Sequence, residues 1–207
     1  MIITQVLVMN KKFLILIISF CASCISQSVA DKHFRDTFDA VLSSTVKDFR
    51  YNNPPTFEEF KKGIEKPFLE KKPDSLSPLK VIVSKNSVDF DFHPYLNRIP
   101  LNYQFVMKPS VKGKEYVPEE LNEYLSEDFQ VTFKVDPHKT FVKYSGEGLD
   151  HGGMLQLGKI FINDEETRAI MWARITRSKL DGTETIILFE KVEGVWKIKE
   201  RIGISMS

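Results

Sequence analysis

The sequence is poor in cysteine and has no excess of charge. Its 207 residues include only Cys21 and Cys24, both close to the N-terminus. That excludes a small disulfide-stapled scaffold, in which bridges replace a core. Twenty-nine basic residues against 28 acidic ones leave no field of one sign, which excludes a polybasic nucleic-acid or membrane-surface binder. No apolar run approaches the roughly 20 residues of a membrane-spanning helix. The His-Glu-x-x-His zinc motif, a phosphate-loop Gly-Lys-Ser/Thr and a Gly-x-Ser-x-Gly elbow are all missing, so the familiar signatures of metal, phosphate and serine chemistry are missing too. What is there is an ordinary globular composition, 42% hydrophobic and 28% charged, too apolar for a disordered chain.

The first thirty residues read as an export leader. Lys11 and Lys12 precede the apolar run Phe13–Phe20, and the small-x-small stretch Ser28-Val29-Ala30 follows; charge, apolar run and small-residue site in that order make a secretory signal. Met9, just before Asn10-Lys11-Lys12, is a better start for that leader than Met1. The expected division is therefore a signal peptide over 1–30 and a single globular domain over 31–207. Two processing routes are open. Cleavage after Ala30 releases a soluble protein, periplasmic or secreted, that begins at Asp31 and has no cysteine. Ala22-Ser23-Cys24 also resembles the end of a bacterial lipoprotein box, with Cys21 where leucine is usual; on that route Cys24 is lipidated and anchors the protein to the membrane. Losing the leader takes the formal charge from +1 to −1. Residues 31–207 are numerous enough to bury roughly 70% of the surface that the unfolded chain exposes.

Periodicity then divides the domain. Phe34, Phe38, Val41, Leu42 and Phe49 share one face at a 3.6-residue period, predicting a helix over His33–Phe49 that Asn52-Asn53-Pro54-Pro55 stops. Thr56 and Glu59 have capping-box spacing for a second helix with Phe57, Phe60 and Ile64 inside, and Pro67 limits it. After a polar loop from Lys71 to Pro78 the period becomes two. Leu79–Val83 and Val88–Phe92 read as a hairpin, Tyr103–Met107 as a strand and Pro118-Glu119-Glu120 as the start of a short helix. Phe129, Val131, Phe133 and Val135 alternate with polar residues in a half-buried strand, and Phe141–Tyr144 follows. Strands over Leu155–Ile162, Arg168–Thr176, Thr183–Glu190 and Val195–Ile202, with breaks at Asn163-Asp164, Asp181-Gly182 and Glu193-Gly194, predict an antiparallel meander. The expected class is α+β: N-terminal helices packed on a twisted antiparallel sheet that ends in a C-terminal β-meander.

The stretch Lys159-Ile160-Phe161-Ile162-Asn163-Asp164, continued by Leu188-Phe189-Glu190-Lys191-Val192-Glu193-Gly194-Val195-Trp196-Lys197-Ile198, resembles the end of an uncharacterised group of small exported bacterial proteins. The likeness covers about the last fifty residues. Many members of that group carry a Gly/Cys-rich segment where this chain has Arg177-Ser178-Lys179-Leu180-Asp181-Gly182. It implies export and a fold and says nothing of catalysis. A weaker likeness, in the Gly-Trp-Lys-Ile type of ending, is to the cone-shaped nuclear-transport-factor-2-like fold, in which helices pack on a curved antiparallel sheet.

Few residues offer themselves for chemistry. His93, His138 and His151 stand beside acids, in Asp89-Phe90-Asp91-Phe92-His93, Asp136-Pro137-His138 and Asp150-His151. Imidazole with carboxylate can bind zinc or relay protons, but these spacings match no metal motif, so no metal and no cofactor is expected. Gly146-Glu147-Gly148-Leu149-Asp150-His151-Gly152-Gly153 is the segment densest in glycine, and it reads as a long β-connection that needs positive φ. Within it, Asp150 and His151 are the candidate catalytic pair, to be held at a cavity mouth. On Arg168–Thr176, alternate residues Arg168, Ile170, Trp172, Arg174 and Thr176 share a face, which makes Trp172 and Arg174 the candidate ligand-binding residues, with Lys197, Lys199 and Arg201 extending a basic patch. The expected function is that of an exported, non-catalytic binding protein of the bacterial envelope, its partner another protein or an envelope component and not a nucleic acid. The alternative is a small envelope enzyme or ligand carrier, with a pocket between helices and curved sheet that uses Asp150, His151 and Trp172.

Overall fold

A computed structural model describes residues 29–48, 61–62, 77–137, 151–178 and 181–206. The first element is helix α1, Val29–Thr45. It buries Phe34, Phe38, Val41 and Leu42, as the 3.6-residue spacing requires, together with His33 and Thr37. The helix stops at Thr45, short of the expected Phe49. Ser44 and Thr45 both donate their hydroxyls to the Val41 carbonyl, at 3.0 and 2.5 Å, and such side-chain bonds compete with the helical ladder. The second expected helix, from Thr56, and the strand Phe141–Tyr144 lie outside the described residues, apart from Lys61 and Lys62.

The eight strands among the described residues are β1 (Leu79–Ser84), β2 (Glu123–Leu125), β3 (Phe129–Lys134), β4 (His151–Leu157), β5 (Phe161–Ile162), β6 (Arg168–Ser178), β7 (Asp181–Val192) and β8 (Val195–Met206). They form one sheet in the order β2-β3-β1-β4-β6-β7-β8, with β5 beside β6. This overturns the expected class. The sheet is mixed, because β1 runs parallel to both β3 and β4, and one α-helix, not several, lies on it among the described residues. The physical reason is that alternation marks a strand without giving its direction; a parallel pair is set by long connections that leave no local signal.

Several local expectations are corrected with it. The hairpin over Leu79–Phe92 does not form; beyond β1, Val88 makes only an isolated bridge to Gly158. Tyr103–Met107 belongs to a 3-10 helix, Leu101–Met107, that buries Tyr103 and Phe105. Pro118 opens a turn closed by Leu121 N–H to Pro118 C=O at 3.1 Å, and β2 follows instead of a helix. The strand expected over Leu155–Ile162 is divided into β4 and β5 around Gly158. Asp181-Gly182 lies inside β7, paired with Ser178 and Thr176 of β6, so it is not the turn. The C-terminal series itself is present: β6, β7 and β8 are successive antiparallel neighbours.

Each face of the sheet carries its own core. The front cluster joins α1 to Val81 and Val83 of β1, Val131 and Phe133 of β3, Leu155 of β4, Met171 of β6, Phe189 of β7 and Trp196 of β8. The back cluster joins Ile170 and Trp172 of β6, Ile186 and Leu188 of β7 and Ile202 of β8 to Phe92, Ile99, Tyr103 and Phe105. Alternate residues of β6 and β7 thus serve opposite cores. The covering segment, residues 88–111, ends over β6; the back of β1 and β3 carries Lys80, Gln130, Thr132 and Lys134 instead. Among the described residues no helix is long and apolar enough to cross a membrane.

Candidate functional site

An open groove of about 1280 Å³ lies between α1 and the segment Lys114–Tyr124. Phe34 of α1, Val117, Leu121 and Tyr124 line its apolar part; three bases, Arg35, Lys85 and Lys114, and three acids, Glu115, Glu119 and Glu120, line it too, together with Val135. Val135 is 67% exposed, although it follows directly on β3.

The groove is held in shape by polar ties between its walls. Tyr124 donates its hydroxyl to Asp39 Oδ2 of α1 at 2.7 Å. Burial first, and then the Asp39 carboxylate, push that phenol up to about 12, so it remains a donor at any physiological pH. Tyr116, fully buried beneath the groove, shares a 2.8 Å hydrogen bond with Thr37 of α1. Lys85 Nζ donates to Asn122 Oδ1 at 2.6 Å and to the Glu119 carbonyl at 3.2 Å. Ser87 accepts from Tyr116 N–H at 3.2 Å and donates its own N–H to Glu115 at 3.1 Å. A surface tied in this way loses little conformational freedom when something settles on it.

The described residues among those singled out from sequence do not meet here. His151 is the first residue of β4 and lines a separate cleft of about 250 Å³ on the back face, with Lys80, Ile82, Gln130, Thr132 and Lys134. Asp150 and His138 lie outside the described residues. Of the glycine-dense segment, Gly152 and Gly153 are described: Gly153 has φ +108°, beside a break in the β1–β4 register, and a Cβ on Gly152 would meet Val46 and Leu79 at under 3 Å. Trp172 is buried under Phe90, with ring centroids 5.3 Å apart and planes 11° apart, and Phe90 stacks in turn on Tyr95. Arg174 pairs with Glu184 at 3.5 Å, and Lys199 with Glu190 at 3.2 Å, so two bases of the expected patch are matched by acids. His93 Nδ1 lies 2.7 Å from Asp91 Oδ1, and Asp91 also accepts the His93 N–H. That backbone bond, and then the imidazole, hold the Asp91 carboxyl below its usual range; the pair is exposed and opens a 3-10 turn. Among the described residues no group of three or more His, Cys, Asp or Glu is placed to hold a metal ion.

A histidine that sequence reasoning passed over has the most unusual surroundings. His33 on α1 is fully buried, and neither ring nitrogen has a hydrogen-bond partner. Its ring meets Phe189 and Trp196 edge-on, each at 4.7 Å, and Tyr116 at 5.8 Å. Its place on the inner helical face, one residue before Phe34, was the available signal.

The chain matches no family model, and no curated protein or solved structure is significantly similar to it.

Proposed function

We propose that this is an exported binding protein of the bacterial envelope that takes an extended segment of another protein into the groove between α1 and Lys114–Tyr124. The observation that carries this reading is the groove itself. It is open to solvent and lined by apolar side chains and by charges of both signs, which suits the alternating side chains of an extended peptide better than a small ligand, for which a site encloses most of the surface. The filled cores on both sheet faces support the same reading. Export rests on the leader over residues 1–30, with release after Ala30 or lipidation of Cys24 as the two routes. The likeness of the last fifty residues to small exported proteins supports it.

The carrier or enzyme alternative needs its residues at a pocket, but neither His151 nor Trp172 lines this groove. The test is site-specific crosslinking in the exporting cell. A photoreactive residue at Val135 is expected to capture an envelope protein, and Leu121→Asp in the same chain to abolish the adduct while circular dichroism stays unchanged. Capture that persists unaltered in Leu121→Asp, or no adduct at Val135 when one forms elsewhere on the surface, would remove the groove from the mechanism.

A further inference from the structure

The cleft on the back face is independent of that groove, and its chemistry is different. It lies over the three parallel strands β3, β1 and β4, where the register places Gln130, Lys80 and His151 side by side in one row. Ile82 and Thr132 form the next row on the same face, and Lys134 lies in the row beyond. Neighbouring strands are about 4.8 Å apart and alternate residues about 6.6 Å. Lys80 and His151 therefore stand at one end of the cleft and Lys134 at the other, roughly 14 Å away between backbones. Two lysine side chains can close that distance over Ile82, which is buried in the floor.

Strands paired in parallel are ordinarily covered on both faces and apolar throughout. Here the front of β1, β3 and β4 obeys that rule, and the back breaks it with two lysines, an imidazole, an amide and a hydroxyl. No carboxylate is among the lining residues; along the chain Asp128 comes two residues before Gln130 and Asp136 two after Lys134, and Glu123 of the edge strand β2 stands opposite Thr132. Three other bases of this sheet are paired with acids, Arg174 with Glu184, Lys199 with Glu190 and Arg177 with Asp181. The ammonium groups of Lys80 and Lys134 have no ion-pair or hydrogen-bond partner among the described residues.

We propose that this cleft binds a phosphate monoester group. Two ammonium groups match the charge of about −1.5 to −2 that such a group carries near neutrality. Thr132 and Gln130 add neutral donors to the oxygens, and their fixed register gives the site its direction. The volume of about 250 Å³ accommodates the phosphate and a small substituent, or the head of a larger molecule.

The test is titration calorimetry of the folded chain with glycerol phosphate, with sodium chloride and sodium acetate at matched ionic strength as controls. Vesicles of phosphatidylcholine with and without phosphatidic acid form a second arm, since a lipid can carry the same group. Saturable binding of glycerol phosphate or of phosphatidic acid vesicles is expected, and whichever arm responds identifies a soluble or a lipid source. Lys80→Gln and Lys134→Gln, both at exposed positions, should each weaken it about tenfold to a hundredfold, while Lys112→Gln, outside the cleft, leaves it unchanged. Heat no greater than that of the matched controls in both arms overturns the proposal. So does equal weakening in all three variants, which would mean diffuse attraction between charges.

Discussion

His33 keeps an ionisable ring inside a cage of Phe189, Trp196 and Tyr116 with nothing to accept or donate a proton. Burial holds its pKa at about 3, and the Lys191 ammonium adds a smaller push the same way; in the unfolded chain the value is near 6.5. Between those two values the unfolded state binds a proton that the folded state does not. Stability attributable to this residue is therefore fully present above about pH 6.5 and falls on acidification toward 3, by about 1.4 kcal/mol per pH unit. At pH 4.5 the loss amounts to about 2–3 kcal/mol relative to pH 7. His33→Leu, which keeps apolar bulk in the cage, should remove this dependence. Urea titrations of both proteins at pH 7 and 4.5 check it, and a wild-type-minus-variant difference that is the same at both values would reject it. Asp181, held low by the Arg177 side chain, loses its stabilising charge only at lower pH, as the pH falls through its depressed value, so it does not obscure that window. Trp196, on the far side of the cage and buried at 3% exposure, also has Lys191 Nζ 5.3 Å from its ring centroid. Trp196→Ala should cost about 3–5 kcal/mol; chemical denaturation decides, and a loss below 1 kcal/mol would take Trp196 out of the core.

At the scale of elements, the β7–β8 hairpin is the clearest case of local sequence acting alone. Val192 and Val195 pair, and the two residues between them, Glu193 and Gly194, have φ of 53° and 80°. Positive φ at both positions is the mark of a type I′ turn, whose twist matches that of the strands. A Cβ on Gly194 would meet nothing within 4 Å, so Gly194→Ala carries a conformational penalty and no clash, about 1 kcal/mol. Glu193→Asn should stabilise by about 0.5 kcal/mol, since asparagine tolerates the left-handed region better. Opposite shifts in melting temperature check the pair, and equal shifts would show that backbone conformation is not the cause. This turn, α1, β3 and β6–β8 were legible because each is decided by neighbours along the chain: a glycine, a 3.6-residue period, a period of two. Asn163-Asp164 also ends a strand as expected, for a local reason: the Asn163 side chain accepts from Thr167 and Arg168 N–H at 2.9 and 2.8 Å. What sequence hid was set at a distance. Seven residues are too few to tell the buried Tyr103 and Phe105 of a 3-10 helix from the alternation of a strand. Nothing in Leu79–Ser84 announces parallel partners 50 and 72 positions further on. The groove was illegible for the same reason, because Phe34, Lys85, Val117 and Val135 become neighbours only in the fold. His151 was singled out for its glycines and its acidic neighbour, whereas its place in the cleft comes from Lys80 on the adjacent strand.

The whole molecule is organised around strands that two cores share. β6 and β7 send Met171 and Phe189 forward under α1, and Trp172 and Leu188 backward under residues 88–111. Neither core can be lost without exposing the strands that form the floor of the other, so the two are expected to melt as one cooperative unit. The chain carries its own reporters, because it has only two tryptophans and each lies in a different core: Trp196 in front, Trp172 behind. Trp196→Phe leaves a fluorophore that reads the back alone, and Trp172→Phe one that reads the front. Each substitution changes overall stability by its own amount, so the comparison has to be made within a variant: fluorescence against far-ultraviolet circular dichroism in the same urea series. In both variants the two signals should share a midpoint and a slope, since the slope follows the surface exposed on unfolding. If Trp172 changes at lower urea than the dichroism in one variant while Trp196 coincides with it in the other, the segment over the back face comes away first. The sheet and α1 would then be the cooperative unit, and residues 88–111 a cover that opens separately.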